Sequence, residues 1–136
     1  MPALRTYDVF ITHAWTYGDD YYRLVDLLAN AANFDWRNYS VPEDDPLHGG
    51  TDAKLRQGLS RQMRGVHVVL ALSGVYASHS GWMQEELAIA DGHGLPVIGV
   101  LPHGNQRASV AVQDAAVEMV NWSTSSIVAA IRQWAL

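Results

Sequence analysis

One helical segment carries an acid at a position where the surrounding pattern favours an apolar residue. Residues 80–90 are typical of a helix start, with Ser80 as the N-cap. At roughly 100° per residue, Glu86 falls inside a mainly apolar sector of about 160°, whereas Glu85 falls at its edge. The other members of this sector are Trp82, Met83, Leu87, Ile89 and Ala90. A carboxylate on the buried side of a helix is costly, so Glu86 either pairs with an arginine or a backbone amide or has a chemical task.

The composition limits the classes of partner that the protein can have. A chain of 136 residues suits one domain, 1–136, with one core. Its net charge of -5 argues against a nucleic-acid backbone or an anionic membrane as the main partner. The chain has no cysteine, which excludes disulfides and thiolate metal sites and fits a cytoplasmic protein. We expect no membrane span, because no apolar run approaches about 18 residues, and no signal peptide, because residues 1–5 lack the apolar region of one.

Strand-like and helix-like segments alternate along the whole chain. We predict strands at 7–12, 34–40, 66–72, 95–100 and 117–121, and helices at 21–30, 51–63, 80–90, 110–116 and 123–136. Segment 34–40 alternates in character, as an edge strand does, whereas 66–72 is nearly all apolar, as a central parallel strand is. The order predicts an α/β protein with a flavodoxin-like, doubly wound, five-stranded parallel sheet and helices on both faces.

In such a sheet, ligands bind at the carboxyl ends of the strands, near the switch in strand order. The groups expected at this rim are residues 12–15, 38–40 and 73–74, with 102–104 further along. Glu86 lies about one turn into the helix that follows the third strand. We therefore expect it to face the same rim.

Several chemistries that occur on this fold lack their residues here. A phosphoacceptor receiver domain needs an acid after the third strand and a lysine after the fifth, but no acid is present there and the only lysine, Lys54, lies in a predicted helix. Asp19 and Asp20 would repel phosphate from a flavodoxin-type loop. There is no glycine-rich nucleotide motif and no G-x-S-x-G. The six histidines lack zinc-type spacing, so no metal site is predicted.

Segments that match a known family in order and spacing run through nearly the whole chain. They are 8–15, 34–42, 45–47, 69–76, 80–86, 95–100 and 121–123. Through them the chain resembles the TIR-like domains of the MTH-type group, in particular the TIR-like sensor proteins of bacterial Thoeris anti-phage defence. The Trp-x-x-x-Glu spacing from Trp82 to Glu86 is weak evidence for this family when taken alone, whereas the order and spacing of all the segments together are specific.

The resemblance implies an enzyme that cleaves NAD at the bond between nicotinamide and ribose, with Glu86 as the catalytic acid. It implies that NAD is the substrate and that no cofactor is needed. Together with the positions at the carboxyl ends of the strands, the resemblance suggests a set of substrate-binding residues. They are Thr12, His13, Trp15, Asn38, Tyr39, Ser73, Tyr76 and Trp82. Among these, the aromatic rings of Trp15, Tyr39 and Tyr76 could stack on nicotinamide or adenine, or could simply pack.

The resemblance also implies a signalling role. Thoeris sensors make a cyclic ADP-ribose isomer, or a related ADP-ribose conjugate, on phage infection, and this product activates a separate effector protein. The loop at 41–50 matches in position the loop through which TIR domains self-associate. Similar proteins show little activity until a trigger, such as one derived from a phage, is present. Two other interpretations stay open, namely a non-catalytic TIR-like interaction module and a nucleotide-binding sensor of the same fold.

Overall fold

The computed structural model describes residues 5–12, 19–40, 52–72, 81–101 and 110–136. Side chains are described at these positions except 19, 20, 52–56, 81–83 and 111. The strands are β1 (Thr6–Thr12), β2 (Asp35–Asn38), β3 (Val68–Leu72), β4 (Val97–Val100) and β5 (Glu118–Val120). The helices are α1 (Asp19–Ala29), α2 (Asp52–Met63), α3 (Gly81–Gly92), α4 (Val110–Ala115) and α5 (Thr124–Trp134). The predicted alternation of strands and helices is confirmed.

The five strands form one sheet in the order β2-β1-β3-β4-β5, and every neighbouring pair is parallel. The chain therefore reverses its direction of winding at β1, between β2 and β3, which is where this type of sheet opens a crevice. The predicted edge strand is β2, and its four residues are mostly exposed. The predicted central strand is β3, whose residues are all buried.

Alternation of side chains along the strands divides the core into two layers. Val9 and Ile11 of β1 pack with α1 and α5 on one face of the sheet. Phe10 points the other way and packs with residues of α2, α3 and α4. An aliphatic side chain contributes about 1.5–3 kcal/mol when it is fully buried, so both faces stabilise the sheet strongly. The prediction of a doubly wound sheet with helices on both faces is confirmed.

An ion pair fastens the edge strand β2 to β1. Nε of Arg37 donates to Oδ1 of Asp8 at 2.6 Å, and its terminal nitrogen Nη2 donates to Oδ2 at 3.0 Å. The two residues are register partners in the parallel pair, so the contact is built into the sheet. Hydrogen bonding to Asp8 raises the pKa of the Arg37 guanidinium above its usual value. Asp8 is only 6% exposed, and the guanidinium of Arg37 compensates the charge of its carboxylate.

The ends of the final helix follow the sequence pattern closely. Ser123 is the N-cap, has an extended backbone, and accepts a hydrogen bond from the Ser126 backbone at 3.2 Å. Ile127 and Ile131 are fully buried on the face of α5 that meets the sheet. None of the helices in the described ranges is long and apolar enough to cross a membrane.

Candidate functional site

Glu86 is almost completely buried in α3, on the side of the helix that faces the sheet. The Glu86 side chain is 1% exposed, and its neighbours Leu87 and Ala90 are buried with it. Gln84, Ala88 and Asp91 are exposed on the opposite side of α3, and Glu85 is intermediate. The helical-wheel prediction, with Glu86 inside and Glu85 at the edge, is therefore confirmed.

Thr12 meets this carboxylate from the carboxyl end of β1. Its hydroxyl Oγ1 donates a hydrogen bond to Oε1 of Glu86 at 3.2 Å, and Thr12 is 0% exposed. Thr12 is the last residue of β1 and lies two positions after Phe10, so both side chains point to the face that α2, α3 and α4 cover. Glu86 therefore faces the same rim of the sheet as Thr12, as the sequence predicts, and the two side chains form a hydrogen bond there.

The pair has clear chemical potential. A hydroxyl that donates to a carboxylate fixes the orientation of that carboxylate. In an interior from which water is excluded, a fixed negative charge stabilises a developing positive charge far more than it does in water. The arrangement can therefore support a reaction in which a cation forms next to Glu86.

Asn38 and Tyr39 stand on opposite faces of the sheet, although they follow one another at the end of β2. The Asn38 amide donates to the hydroxyl of Tyr21 in α1 at 2.9 Å, and its Oδ1 accepts from the Ser40 backbone at 2.9 Å. Tyr39 is half-buried and packs against the core layer that contains Phe10. Tyr39 therefore shares a face with the Thr12–Glu86 pair, whereas Asn38 is engaged on the side of α1. Substrate binding by either residue stays a prediction.

Ser40 lies at the rim predicted for residues 38–40, and it forms a hydrogen bond there that the sequence does not reveal. It is 9% exposed, and its hydroxyl oxygen accepts a hydrogen bond from the Ile11 backbone N–H at 2.9 Å. Ile11 is the residue before Thr12. The only signal in the sequence is a serine at the end of the predicted edge strand 34–40, and many serines near turns share that property.

The other predicted site residues cannot be compared with this geometry. His13, Trp15, Ser73 and Tyr76, and the loop at 41–50, lie outside the described residues. Trp82 is in α3, but its side chain is not described. Among the residues that are described, no group of three or more His, Asp or Glu side chains could hold a metal ion.

Two surface grooves are separate from the Thr12–Glu86 pair. One of about 750 Å³ lies between α3 and α4, and its described lining is Gln84, Leu87, Ala88, Asp91, Leu95, Val97, Val110, Asp114 and Ala115. Another of about 290 Å³ lies beside β5 and α5. Neither has Thr12 or Glu86 among its described lining residues, because Glu86 points from α3 towards β1 and away from α4. Buried polar groups, and not either of these grooves, therefore define the candidate site.

Comparisons with known proteins were made for the whole chain. The family model for the TIR-like domain of the Thoeris protein ThsB matches residues 10–107. No curated protein matches the chain. Among solved structures, the 1.60 Å crystal structure of a 3-dehydroquinate dehydratase-like protein from Bifidobacterium longum is similar at 8% identity, with a TM-score of 0.47 and 95% of this chain and 94% of that chain covered.

The likeness to the dehydratase-like protein is too weak for any conclusion about function. The family match, in contrast, covers well over half of the chain and includes Thr12, Tyr39 and Glu86. It confirms the resemblance that the sequence segments suggest. The chain belongs to the ThsB TIR-like domain family and is a TIR-like protein of Thoeris anti-phage defence.

Proposed function

We propose that this protein cleaves NAD at the nicotinamide–ribose bond and converts the remaining part into a cyclic ADP-ribose isomer or a related ADP-ribose conjugate. In this proposal Glu86 is the catalytic carboxylate, NAD is the substrate and no cofactor takes part. The product is a second messenger that activates a separate effector protein after phage infection. The proposal rests on membership of the Thoeris family together with one observation, the buried carboxylate of Glu86 hydrogen-bonded to Thr12 at the rim of the sheet.

The reaction that we propose needs little more than a well-placed negative charge. Cleavage leaves an oxocarbenium-like ribose, as in the transition state of a glycosidase. Nicotinamide departs as a neutral molecule, so no general acid has to protonate it. One carboxylate can then hold ribose hydroxyls and oppose the positive charge that develops on the sugar. Glu86 is suited to this role because its surroundings exclude water and Thr12 limits its rotation.

The fate of the sugar cation decides the product. Capture of the cation by water would give free ADP-ribose. Capture by a nucleophile of the same molecule would give a cyclic isomer, and capture by a nucleophile of a second molecule would give a conjugate. A site that excludes water favours capture by the nucleophile that is already bound. A site that closes over NAD and excludes water would therefore give a product other than free ADP-ribose.

The burial of Glu86 supports an enzyme that is inactive until it is triggered. At 1% exposure, Glu86 is not accessible to a ligand as large as NAD in this conformation. Access requires a change of conformation at the carboxyl edge of the sheet. In the proposal this change accompanies recognition of a trigger of phage origin and self-association through residues 41–50.

The decisive experiment compares three proteins in cells infected with phage, namely wild type, Glu86→Gln and Glu85→Gln. Nicotinamide and ADP-ribose products in the lysates are measured by mass spectrometry, which also identifies the product. We expect nicotinamide release by the wild type and none by Glu86→Gln. Release by Glu85→Gln should be nearly unchanged, since Glu85 lies at the edge of the buried side of the helix. Circular dichroism of the purified variants checks that each has kept its fold.

Two results would count against the proposal. If Glu86→Gln released nicotinamide at the wild-type level, Glu86 would have only a packing role. If NAD stayed intact in infected cells that contain the wild-type protein, the chain would be non-catalytic, as it is in both alternatives left open by its sequence, an interaction module and a nucleotide-binding sensor.

A further inference from the structure

We propose that Ser40 is a positioning residue for the Thr12–Glu86 pair. Its side chain continues the pairing of β1 with β2 after β2 has ended, and in this way it holds the carboxyl end of β1. Ser40 has no contact with the reacting atoms in this proposal and acts through the backbone of Ile11 and Thr12. The inference rests on the proposed function, because the pair it positions is the site of NAD cleavage.

The hydrogen bonds between β1 and β2 show where Ser40 replaces a strand residue. The backbone N–H of Tyr39 donates to the carbonyl of Val9 at 2.8 Å, just after the last residue of β2. The next N–H of β1 on this edge belongs to Ile11, two residues further on. Its acceptor is the hydroxyl oxygen of Ser40, at 2.9 Å, in the place where a longer β2 would offer a backbone carbonyl. Ile11 is 1% exposed and Ser40 is 9% exposed, so the bond is shielded from water.

Ser40 is itself fixed from two sides. Its backbone N–H donates to Oδ1 of Asn38 at 2.9 Å, and the amide nitrogen of Asn38 donates to the hydroxyl of Tyr21 at 2.9 Å. Between them, the carbonyl of Tyr39 accepts from Nε2 of Gln62 in α2 at 2.9 Å. The end of β2 is thus anchored both to α1 and to α2, which are on opposite faces of the sheet. A hydroxyl mounted on this segment is a rigid acceptor.

The position of Thr12 depends on this support. On its other edge, the end of β1 pairs with β3, where Thr12 is the register partner of Ala71. Ser40 supplies the hydrogen bond on the β2 edge, one residue before Thr12. The bond from Thr12 to Glu86 is 3.2 Å long, which is longer than the usual range of about 2.5–3.0 Å for hydroxyl donors, so a further displacement of Thr12 would weaken it. Catalytic groups need to be held within about 0.5 Å of their productive positions.

The test uses Ser40→Ala, which removes the acceptor, and Ser40→Thr, which keeps the hydroxyl. Nicotinamide release is measured with purified protein activated by lysate from infected cells. We expect Ser40→Ala to lower kcat by about 10- to 100-fold, because the acid is misplaced while substrate contacts are retained. KM for NAD should change by less than about twofold. Ser40→Thr should restore most of the activity, which a general loss of packing would not allow.

Ser126→Ala is the matched control. Ser126 also has a hydrogen-bonded hydroxyl, which accepts from Ser123 Oγ at 2.8 Å, but it lies in α5 on the other face of the sheet. Its loss should leave kcat unchanged. If Ser40→Ala does not fold, Ser40→Cys takes its place, since a thiol has similar size and is a much weaker acceptor. The expected loss is then smaller but has the same direction.

A second readout does not depend on catalysis. Hydrogen exchange of the Ile11 amide, followed by NMR, should be faster in Ser40→Ala than in wild type and should be slow again in Ser40→Thr. Unchanged Ile11 exchange, or wild-type kcat in Ser40→Ala, would overturn the inference while the proposed function stands. Equal nicotinamide release by wild type and Glu86→Gln in the same assay would contradict the proposed function, and with it any catalytic importance of Ser40.

Discussion

The hydroxyl of Thr12 donates to the carboxylate of Glu86, which joins two residues that are 74 positions apart in the chain. One is the last residue of β1 and the other lies in α3. Strand β1 is where the winding of the sheet reverses, so this contact lies at the crevice that such folds use for ligands. The pair places a hydroxyl donor beside a buried carboxyl group, and this combination arises only when the two distant segments come together in the fold.

Replacement of Thr12 by valine should lower both the activity and the stability of the protein. Valine has nearly the same shape, so the side-chain volume is kept while the donor to Glu86 is lost. We expect nicotinamide release to fall by about 10- to 100-fold because the carboxylate is less well oriented. The free energy of unfolding should fall by about 1–3 kcal/mol, since a buried acceptor loses one donor. Activity is followed by mass spectrometry and stability by urea denaturation.

Thr12→Ser is the control for this substitution, because it keeps the hydroxyl and loses only a methyl group. Its release rate should lie well above that of Thr12→Val. If both variants were equally impaired, the methyl group and not the hydrogen bond would be the important part of Thr12.

Gly99 in β4 should not tolerate a side chain without loss of stability. Met119 of β5 occupies the space beside it, and an added Cβ would lie 2.9 Å from Cε of Met119 and 3.0 Å from Cγ1 of Val112. Gly99→Ala should therefore lower the free energy of unfolding by about 1–3 kcal/mol, as overpacked cores do. Thermal and urea unfolding measure the change. The double variant Gly99→Ala/Met119→Ala should show less than the sum of the two separate losses.

Gly92 provides a glycine with open space around it for comparison. It is the last residue of α3, and an added Cβ would meet no atom within 4 Å. Gly92→Ala should leave the free energy of unfolding unchanged or raise it by up to about 1 kcal/mol, because alanine restricts the unfolded chain. An equal loss of stability in both variants would show that the contact with Met119 does not explain the effect at Gly99.

Removal of the Arg37 guanidinium should loosen the edge strand. Arg37→Ala leaves the mostly buried carboxylate of Asp8 without its two hydrogen bonds, so the melting temperature should fall. Arg37→Lys should recover little of the lost melting temperature, because a lysine cannot form both hydrogen bonds in the same geometry. Melting temperatures at low salt and at high salt are the measurement. A lysine variant as stable as wild type would show that charge alone is sufficient.

The sequence is sufficient to predict the sheet and the inward position of Glu86, because both depend on local periodicity. The apolar run in β3, the alternation in β2 and the helical period around Glu86 are read directly from neighbouring residues. The bounds of β3 differ slightly, since it begins at Val68 and not at 66. His67 is instead fixed by its backbone and ring, which bond to the Asp8 backbone at 2.8 and 3.0 Å.

The contacts that form the site could not be predicted in the same way. That Thr12 meets Glu86, or that Ser40 bonds to Ile11, depends on the register between strands and on the angle at which α3 crosses them. Asn38 and Tyr39 illustrate the difficulty, because one residue of offset places them on opposite faces of the sheet. Met119 beside Gly99 is likewise a contact between strands, and no local pattern in the sequence indicates it.

The division of the core into two layers has a practical consequence for engineering. Thr12, Tyr39 and Glu86 belong to the face that α2, α3 and α4 cover, whereas most of the aliphatic packing of α1 and α5 is on the other face. Distant substitutions without shared partners have nearly additive effects on stability. Substitutions in the α1–α5 layer, away from Tyr21, should therefore allow the thermal tolerance of this protein to be raised independently of its chemistry.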